Sequence, residues 1–207
     1  MLRILVAEDE PLIIKDYRLI LESRGHEVTV SENGESCLET YMSALGGDKT
    51  HTWSLKKPPF DVVILDYRMP KKDGLETARD IVKLCPKQRI IFASAYARET
   101  QLESTRELHQ VIELIQKPFD LSYLVEVVEN TGVYERLAKI NEKVIQLRKS
   151  SLMDDELAEL GNIVRDGLRV AMSLRITDTE LAQLLRGLDN IRAESHRRKL
   201  ERTAESE

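Results

Sequence analysis

Cysteine is nearly absent from this chain, with only Cys37 and Cys85 among 207 residues. Each falls inside an apolar helical pattern, and neither stands in a CxxC pair or beside a histidine. That excludes a disulfide framework, argues against a zinc site and predicts two buried free thiols. Long apolar runs are missing too. No window approaches the roughly 20 uninterrupted apolar residues of a membrane span. The one early apolar run is broken by Glu8, Asp9 and Glu10, where a secretory signal would continue. A cytoplasmic protein with no membrane partner is therefore expected. Positive charge is not in excess either: the formal net charge is −5, and residues 134–207 carry 14 Lys/Arg against 14 Asp/Glu. A dedicated nucleic-acid binder would show a basic face or arm, so this balance speaks against one.

What is present suits an ordinary globular chain, 42% apolar and 32% charged, long enough for one domain of roughly 120 residues plus a smaller unit. Leu2 to Ala7 reads as a buried strand. Pro11 then opens a helix bearing Leu12, Ile13, Tyr17, Ile20 and Leu21, which stops at Gly25. His26–Ser31 alternates as a second strand before Asn33-Gly34, and a helix over 35–45 follows. Residues 46–59 have turn formers at both ends and no period, which marks a long loop or insertion containing the single tryptophan, Trp53. Val62-Val63-Ile64-Leu65 is apolar without alternation, as in a central parallel strand covered on both faces. The same rhythm continues with a helix over 75–84, a strand over 89–94, a helix over 99–109, a strand over 111–116 and a helix from Asp120. Five strands alternating with five helices predict an α/β fold with a doubly wound, five-stranded parallel sheet over residues 1–131. From 132 to 207 no strand is apparent. Leu137, Ile140, Val144 and Leu147 keep three-and-four spacing, as do Leu157 to Ala171 and Leu181 to Ile191, so an all-helical region of three helices is expected.

In an open parallel sheet, ligands bind beyond the carboxyl ends of the strands. Strand 1 ends in Glu8-Asp9, strand 3 in Asp66, strand 4 in Ser94 and strand 5 in Lys117-Pro118. Taken singly, an Asp after a strand is a turn or capping residue, and a loop lysine is solvated. Taken together, three carboxylates, a hydroxyl and an ammonium converge on one edge. Such carboxylates repel, so they take up protons or recruit a hard divalent cation, of which Mg²⁺ suits a site that also binds phosphate oxygens. With repulsion relieved, one carboxylate can attack phosphorus while Lys117 and Ser94 bind the transferred oxygens.

These residues resemble bacterial and archaeal two-component receiver domains, of the chemotaxis-receiver kind with a flavodoxin-like fold. The resemblance rests on Glu8-Asp9, the stretch Leu65-Asp66-Tyr67-Arg68-Met69-Pro70-Lys71-Lys72-Asp73-Gly74, Ser94-Ala95 and Lys117-Pro118-Phe119, and it covers residues 1–131. It implies that Asp66 accepts a phosphoryl group from a histidine kinase or phosphotransfer protein. It also implies that Glu8, Asp9, Asp66 and the Arg68 backbone carbonyl hold Mg²⁺, that Ser94 and Lys117 bind the phosphoryl oxygens, and that Pro118 follows a cis bond. Asp73-Gly74 and Met69-Pro70 shape the loop. Two departures stand out. Leu114 occupies the place where many receivers carry a Tyr or Phe that swings inward, and the insertion at 46–59 is long for its connection. Arg68 and Tyr96, each two residues past a site residue, are placed to shield Asp66 from water.

The chain is thus expected to be a switch, not an enzyme, in a phosphorelay, with its output in residues 132–207. Two kinds of output are consistent with the helices. One is a protein-docking module that makes a homodimer, because three short amphipathic helices leave apolar stripes to bury. The other is a divergent DNA-binding region of a transcriptional regulator. The charge balance of the tail favours protein contacts. The most cationic stretch, Arg192 to Arg202, is interrupted by Glu194 and Glu201, and His196 reads as a solvated helix-end residue.

Overall fold

The computed structural model describes residues 1–46, 57–95, 108 and 112–132, with 134–135 and 138–139. The helix expected over 99–109 (Leu108 apart), Tyr96, Trp53 with most of the insertion, and the helices expected beyond 140 lie outside the described residues. Met1–Thr131 form one compact unit and Gly132–Glu207 a second. Within the first, the described elements are β1 (Arg3–Ala7), α1 (Pro11–Ser23), β2 (Glu27–Ser31), α2 (Gly34–Ala44), β3 (Val62–Asp66), α3 (Gly74–Leu84), β4 (Ile90–Ser94), β5 (Ile112–Gln116) and α4 (Leu121–Glu129).

The five strands form one sheet in the order β2-β1-β3-β4-β5, and every pair is parallel. Successive side chains alternate across it. Leu5, Val63, Leu65, Ile90, Phe92 and Leu114 therefore pack on one face with Cys37, Tyr41, Ala78 and Ile81 from α2 and α3. Ile4, Val6, Ile64, Ile91 and Ile115 pack on the other with Tyr17, Leu21, Leu124 and Val128 from α1 and α4. Burial on both faces explains why these strands read as unbroken apolar runs. Both cysteines are buried free thiols, and burial pushes Cys37 up to about 12.

Local chemistry sets the helix ends. Pro11 stands at the start of α1, where its missing N–H is no loss. Gly25 follows the last turn at φ 81, a left-handed conformation that favours glycine. Asp73 caps α3 in a reciprocal box with Glu76, the structural role expected of it. Along α1, Tyr17 and Leu21 are buried and Ile13 and Ile20 pack partly against the core, whereas Leu12 is 77% exposed. No helix among the described residues is long and apolar enough to cross a membrane.

Candidate metal centre

Strand register brings the charged residues together. Ala7 pairs with Leu65, so Glu8 and Asp66 leave adjacent strands side by side. Asp66 pairs with Ala93, and Ser94 pairs with Gln116, which puts Ser94 and Lys117 next along the same edge. The order β1-β3 is also the switch point of the sheet, where the connections diverge and leave a crevice. One carboxylate oxygen from each of Glu8, Asp9 and Asp66 lies within 4.8 Å of the other two.

Burial differs among them. Glu8 is 1% exposed, Asp66 is half-buried and Asp9 is exposed. The Glu8 backbone N–H donates to Ser31 O at 3.1 Å, tying the acidic turn to β2. Lys117 Nζ donates to Glu8 Oε2 at 2.7 Å and stands 3.5 Å from Asp66 Oδ1. The Tyr67 N–H donates to that same Oδ1 at 2.9 Å. Ser94 is buried, and its carbonyl accepts the Lys117 N–H at 2.7 Å. The Lys117–Pro118 bond is cis, as the resemblance implies.

One ammonium cannot satisfy three carboxylates. Burial holds the Glu8 carboxyl above its ordinary value; Lys117 pulls it down, and Asp66 adds to the rise. Asp66 is raised for the same first reason, with Lys117 and the Tyr67 N–H opposing and Asp9 reinforcing. Glu8 Oε1 is buried with no hydrogen-bond partner. A desolvated carboxylate oxygen without a donor is costly. The all-oxygen donor set, the surplus of negative charge and this orphaned atom together fit a hard divalent cation such as Mg²⁺.

The loop after Asp66 is built tightly. Gly74 N–H donates to Tyr67 O at 3.0 Å, Lys72 N–H to Pro70 O at 2.8 Å, and Lys72 Nζ to Asp80 at 2.6 Å. A Cβ on Gly74 would overlap the Asp66 carbonyl oxygen, so the return of this loop beneath the acceptor requires glycine. Arg68 is exposed on the same loop. Leu114, at the position of the absent aromatic, is buried among the residues around Phe92.

The structure thus unites Glu8, Asp9, Asp66, Ser94 and Lys117, while Tyr96 lies outside the described residues. Sequence reasoning missed two features. It assigned Lys117 to phosphoryl oxygens without its ion pair to Glu8, for which the excess of acids at the strand ends was the available signal. It also read Tyr17 only as core, although that ring stacks on Phe119 beside the site, with centroids 6.1 Å apart.

A family model described as the response regulator receiver domain matches residues 4–129. The chain is similar to the transcriptional regulatory protein PdtaR of Mycobacterium tuberculosis, 32% identical over 129 residues that cover 61% of this chain and 55% of that protein. The response regulator receiver protein CpdR of Brucella abortus is 30% identical over 129 residues, covering 62% of this chain and 95% of CpdR. Among solved structures, the response regulator protein TrrA of Thermotoga maritima, in complex with Mg²⁺-BeF, superposes with a TM-score of 0.50 at 32% identity, covering 62% of this chain and 97% of TrrA. The matched stretch therefore spans about half of PdtaR and nearly all of CpdR and TrrA.

Proposed function

The chain belongs to the response regulator receiver family, and from that premise we propose that Asp66 is a phosphoacceptor loaded in the presence of Mg²⁺ by a histidine kinase or phosphotransfer protein. One observation carries the reading: Asp66 Oδ1 lies in a cluster of three carboxylates and 3.5 Å from the Lys117 ammonium. Of the three, Glu8 is buried, Asp9 is exposed and Asp66 lies between. A nucleophile needs that compromise of access and desolvation.

In this reading Glu8, Asp9, Asp66 and the Arg68 carbonyl hold Mg²⁺, which supplies neutralisation of the acidic cluster and of the incoming phosphoryl oxygens. An Asp66 carboxylate oxygen attacks phosphorus, the new O–P bond forms, and the bond from phosphorus to the donor's imidazole nitrogen breaks. The electron pair stays on that nitrogen, which takes up a proton from solvent. Lys117, released from part of its pairing with Glu8, turns its charge to the phosphoryl oxygens, and the Ser94 hydroxyl donates to another. Arg68, exposed on the loop after Asp66, and Tyr96, two residues past Ser94 in the sequence, shield the acyl phosphate from water in this reading and lengthen its life.

The chain acts as a switch rather than an enzyme with turnover of its own, and the signal leaves through residues 132–207 by protein contacts, as a homodimer. The name of PdtaR favours a second reading, a transcriptional output, although the match to that protein covers only 61% of this chain and 55% of PdtaR. A DNA-binding output would show steep loss of affinity with salt. The acceptor assignment is tested with labelled acetyl phosphate: Asp66→Asn and chelation of Mg²⁺ each abolish labelling, because an amide is a poor nucleophile and a poor ligand. Label retained by Asp66→Asn at the wild-type level sinks it.

A further inference from the structure

Tyr17 lies on the buried face of α1, 3% exposed, and its ring stacks on Phe119 with planes 23° apart. Phe119 is two residues past Lys117, between the cis Lys117–Pro118 bond and Asp120, the N-cap of α4. The backbone of this segment is pinned at both ends. Lys117 N–H donates to Ser94 O at 2.7 Å, and Asp120 Oδ1 accepts from the Ser122 N–H at 2.7 Å. Between those pins, the ring pair joins the segment to α1. The Tyr17 phenol also lies in the field of Glu8, Asp66 and Glu10, while its ring packs on the loop that bears their counter-charge. Burial and that field push its ionisation far up. The phenol therefore stays protonated and neutral.

We propose that Tyr17 is a positioning residue for Lys117: stacked on Phe119, it holds the Lys117–Phe119 segment so that the ammonium rests between Glu8 and Asp66. The inference rests on the phosphoacceptor reading, and it has a consequence that general loosening of the fold does not share. Ammonium and metal compete for the same carboxylates. A lysine held less firmly slows transfer to Asp66 yet leaves the carboxylates freer for Mg²⁺, so the two quantities move in opposite directions.

The test uses the full chain. Tyr17→Leu removes the ring and keeps an apolar side chain, whereas Tyr17→Phe keeps the ring and removes the hydroxyl. Mg²⁺ affinity is read by calorimetry without any phosphodonor, and labelling by acetyl phosphate is timed at saturating Mg²⁺. Tyr17→Leu is expected to label roughly two- to tenfold more slowly, the range an aromatic pair supports, while binding Mg²⁺ more tightly; Tyr17→Phe matches wild type in both. Parallel loss of labelling and Mg²⁺ affinity, unchanged Mg²⁺ affinity, or a Tyr17→Phe protein as slow as Tyr17→Leu overturns the proposal. Should Tyr17→Leu not fold, Phe119→Leu breaks the same stack from the other side and carries the same expectations. Wild-type protein that takes no label overturns the phosphoacceptor reading instead, and the Mg²⁺ arm then decides the role of Tyr17 alone.

Discussion

Replacing Lys117 by Met keeps the aliphatic stem and deletes the cation that pairs with Glu8 and Asp66. At an effective dielectric of about 20, its attraction is about 6 kcal/mol to Glu8 at 2.7 Å and about 5 kcal/mol to Asp66 at 3.5 Å. Each carboxylate pair, with oxygens within 4.8 Å, repels by about 3.5 kcal/mol or more on the same scale. Attraction and repulsion nearly cancel in the wild type, and the variant keeps only the repulsion. Its loss is capped, because one carboxyl can take up a proton instead. From the ordinary Glu value of 4.5, that costs about 4 kcal/mol at pH 7.5 and about 1.4 kcal/mol at pH 5.5. The sign follows from linkage. Glu8 and Asp66 are raised in the folded state, and further raised in the variant, so between the ordinary carboxyl range and the raised values the folded form binds more protons and stability falls as pH rises. Thermal unfolding of the full chain in chelator is therefore expected to show the receiver transition of Lys117→Met roughly 10 °C below wild type at pH 7.5. The deficit shrinks at pH 5.5 and closes with saturating Mg²⁺. An equal deficit at both pH values, or one that Mg²⁺ leaves in place, refutes the reasoning.

Gly74→Ala forces a methyl into the Asp66 carbonyl; we expect about 3 kcal/mol of destabilisation in urea unfolding, together with slower labelling of Asp66. Arg68→Ala combined with Tyr96→Ala is expected to shorten the life of the phosphoryl group, and timed dephosphorylation at the wild-type rate would show that neither residue shields it. Light scattering of the full chain is expected to give a dimer, since the sequence spacing of Leu137, Ile140, Val144 and Leu147 is that of an apolar helical stripe, and burying such a stripe at roughly 25 cal/mol per Å² would oppose the entropy of association. Leu147→Glu should split that dimer while labelling persists, and a monomeric wild type, with and without acetyl phosphate, rejects it.

The sheet was legible because both its faces are covered: β1, β3 and β4 each show a short apolar run of the kind a buried parallel strand leaves, and the acidic or hydroxyl residues mark where the strands end. The site was legible for the same reason, since in a parallel sheet every strand delivers its last residue to one edge. Helix faces were harder. Apolar spacing on α1 included Leu12 and Tyr17 equally, yet Leu12 is exposed and Tyr17 is buried against Phe119; periodicity gives an angle around the axis but not which residues the neighbours cover. Gly74 read as part of a plain turn, because its close approach to Asp66 depends on the path of the loop and leaves no mark in composition. The fourth of the expected helices, Leu108 apart, and the whole tail beyond 140 fall outside the described residues.

A second buried charge cluster shows why charged strand residues cannot be sorted from sequence one at a time. Arg89, just before β4, donates to Glu113 of β5 through Nε at 2.7 Å and Nη2 at 2.8 Å, and to the Val127 and Val128 carbonyls at 2.7 and 2.9 Å. Both side chains are buried. Here one cation meets one anion in bidentate geometry, and the remaining donors satisfy carbonyls in the last turn of α4 that would otherwise lack partners. Desolvation still raises Glu113, with Arg89 opposing it, so the pair fixes where α4 ends more than it adds stability. At the opposite edge one lysine faces three carboxylates and a buried oxygen of Glu8 has no donor. The difference between a structural and a functional charge cluster is therefore completeness. The buried Arg89–Glu113 pair near the amino end is matched in charge, whereas at the carboxyl end Lys117 meets the cluster of Glu8, Asp9 and Asp66 and Glu8 Oε1 has no donor among the described residues. The charges of the two clusters, three acids with one lysine against one acid with one arginine, are the part of that distinction a sequence can carry once the strands are placed.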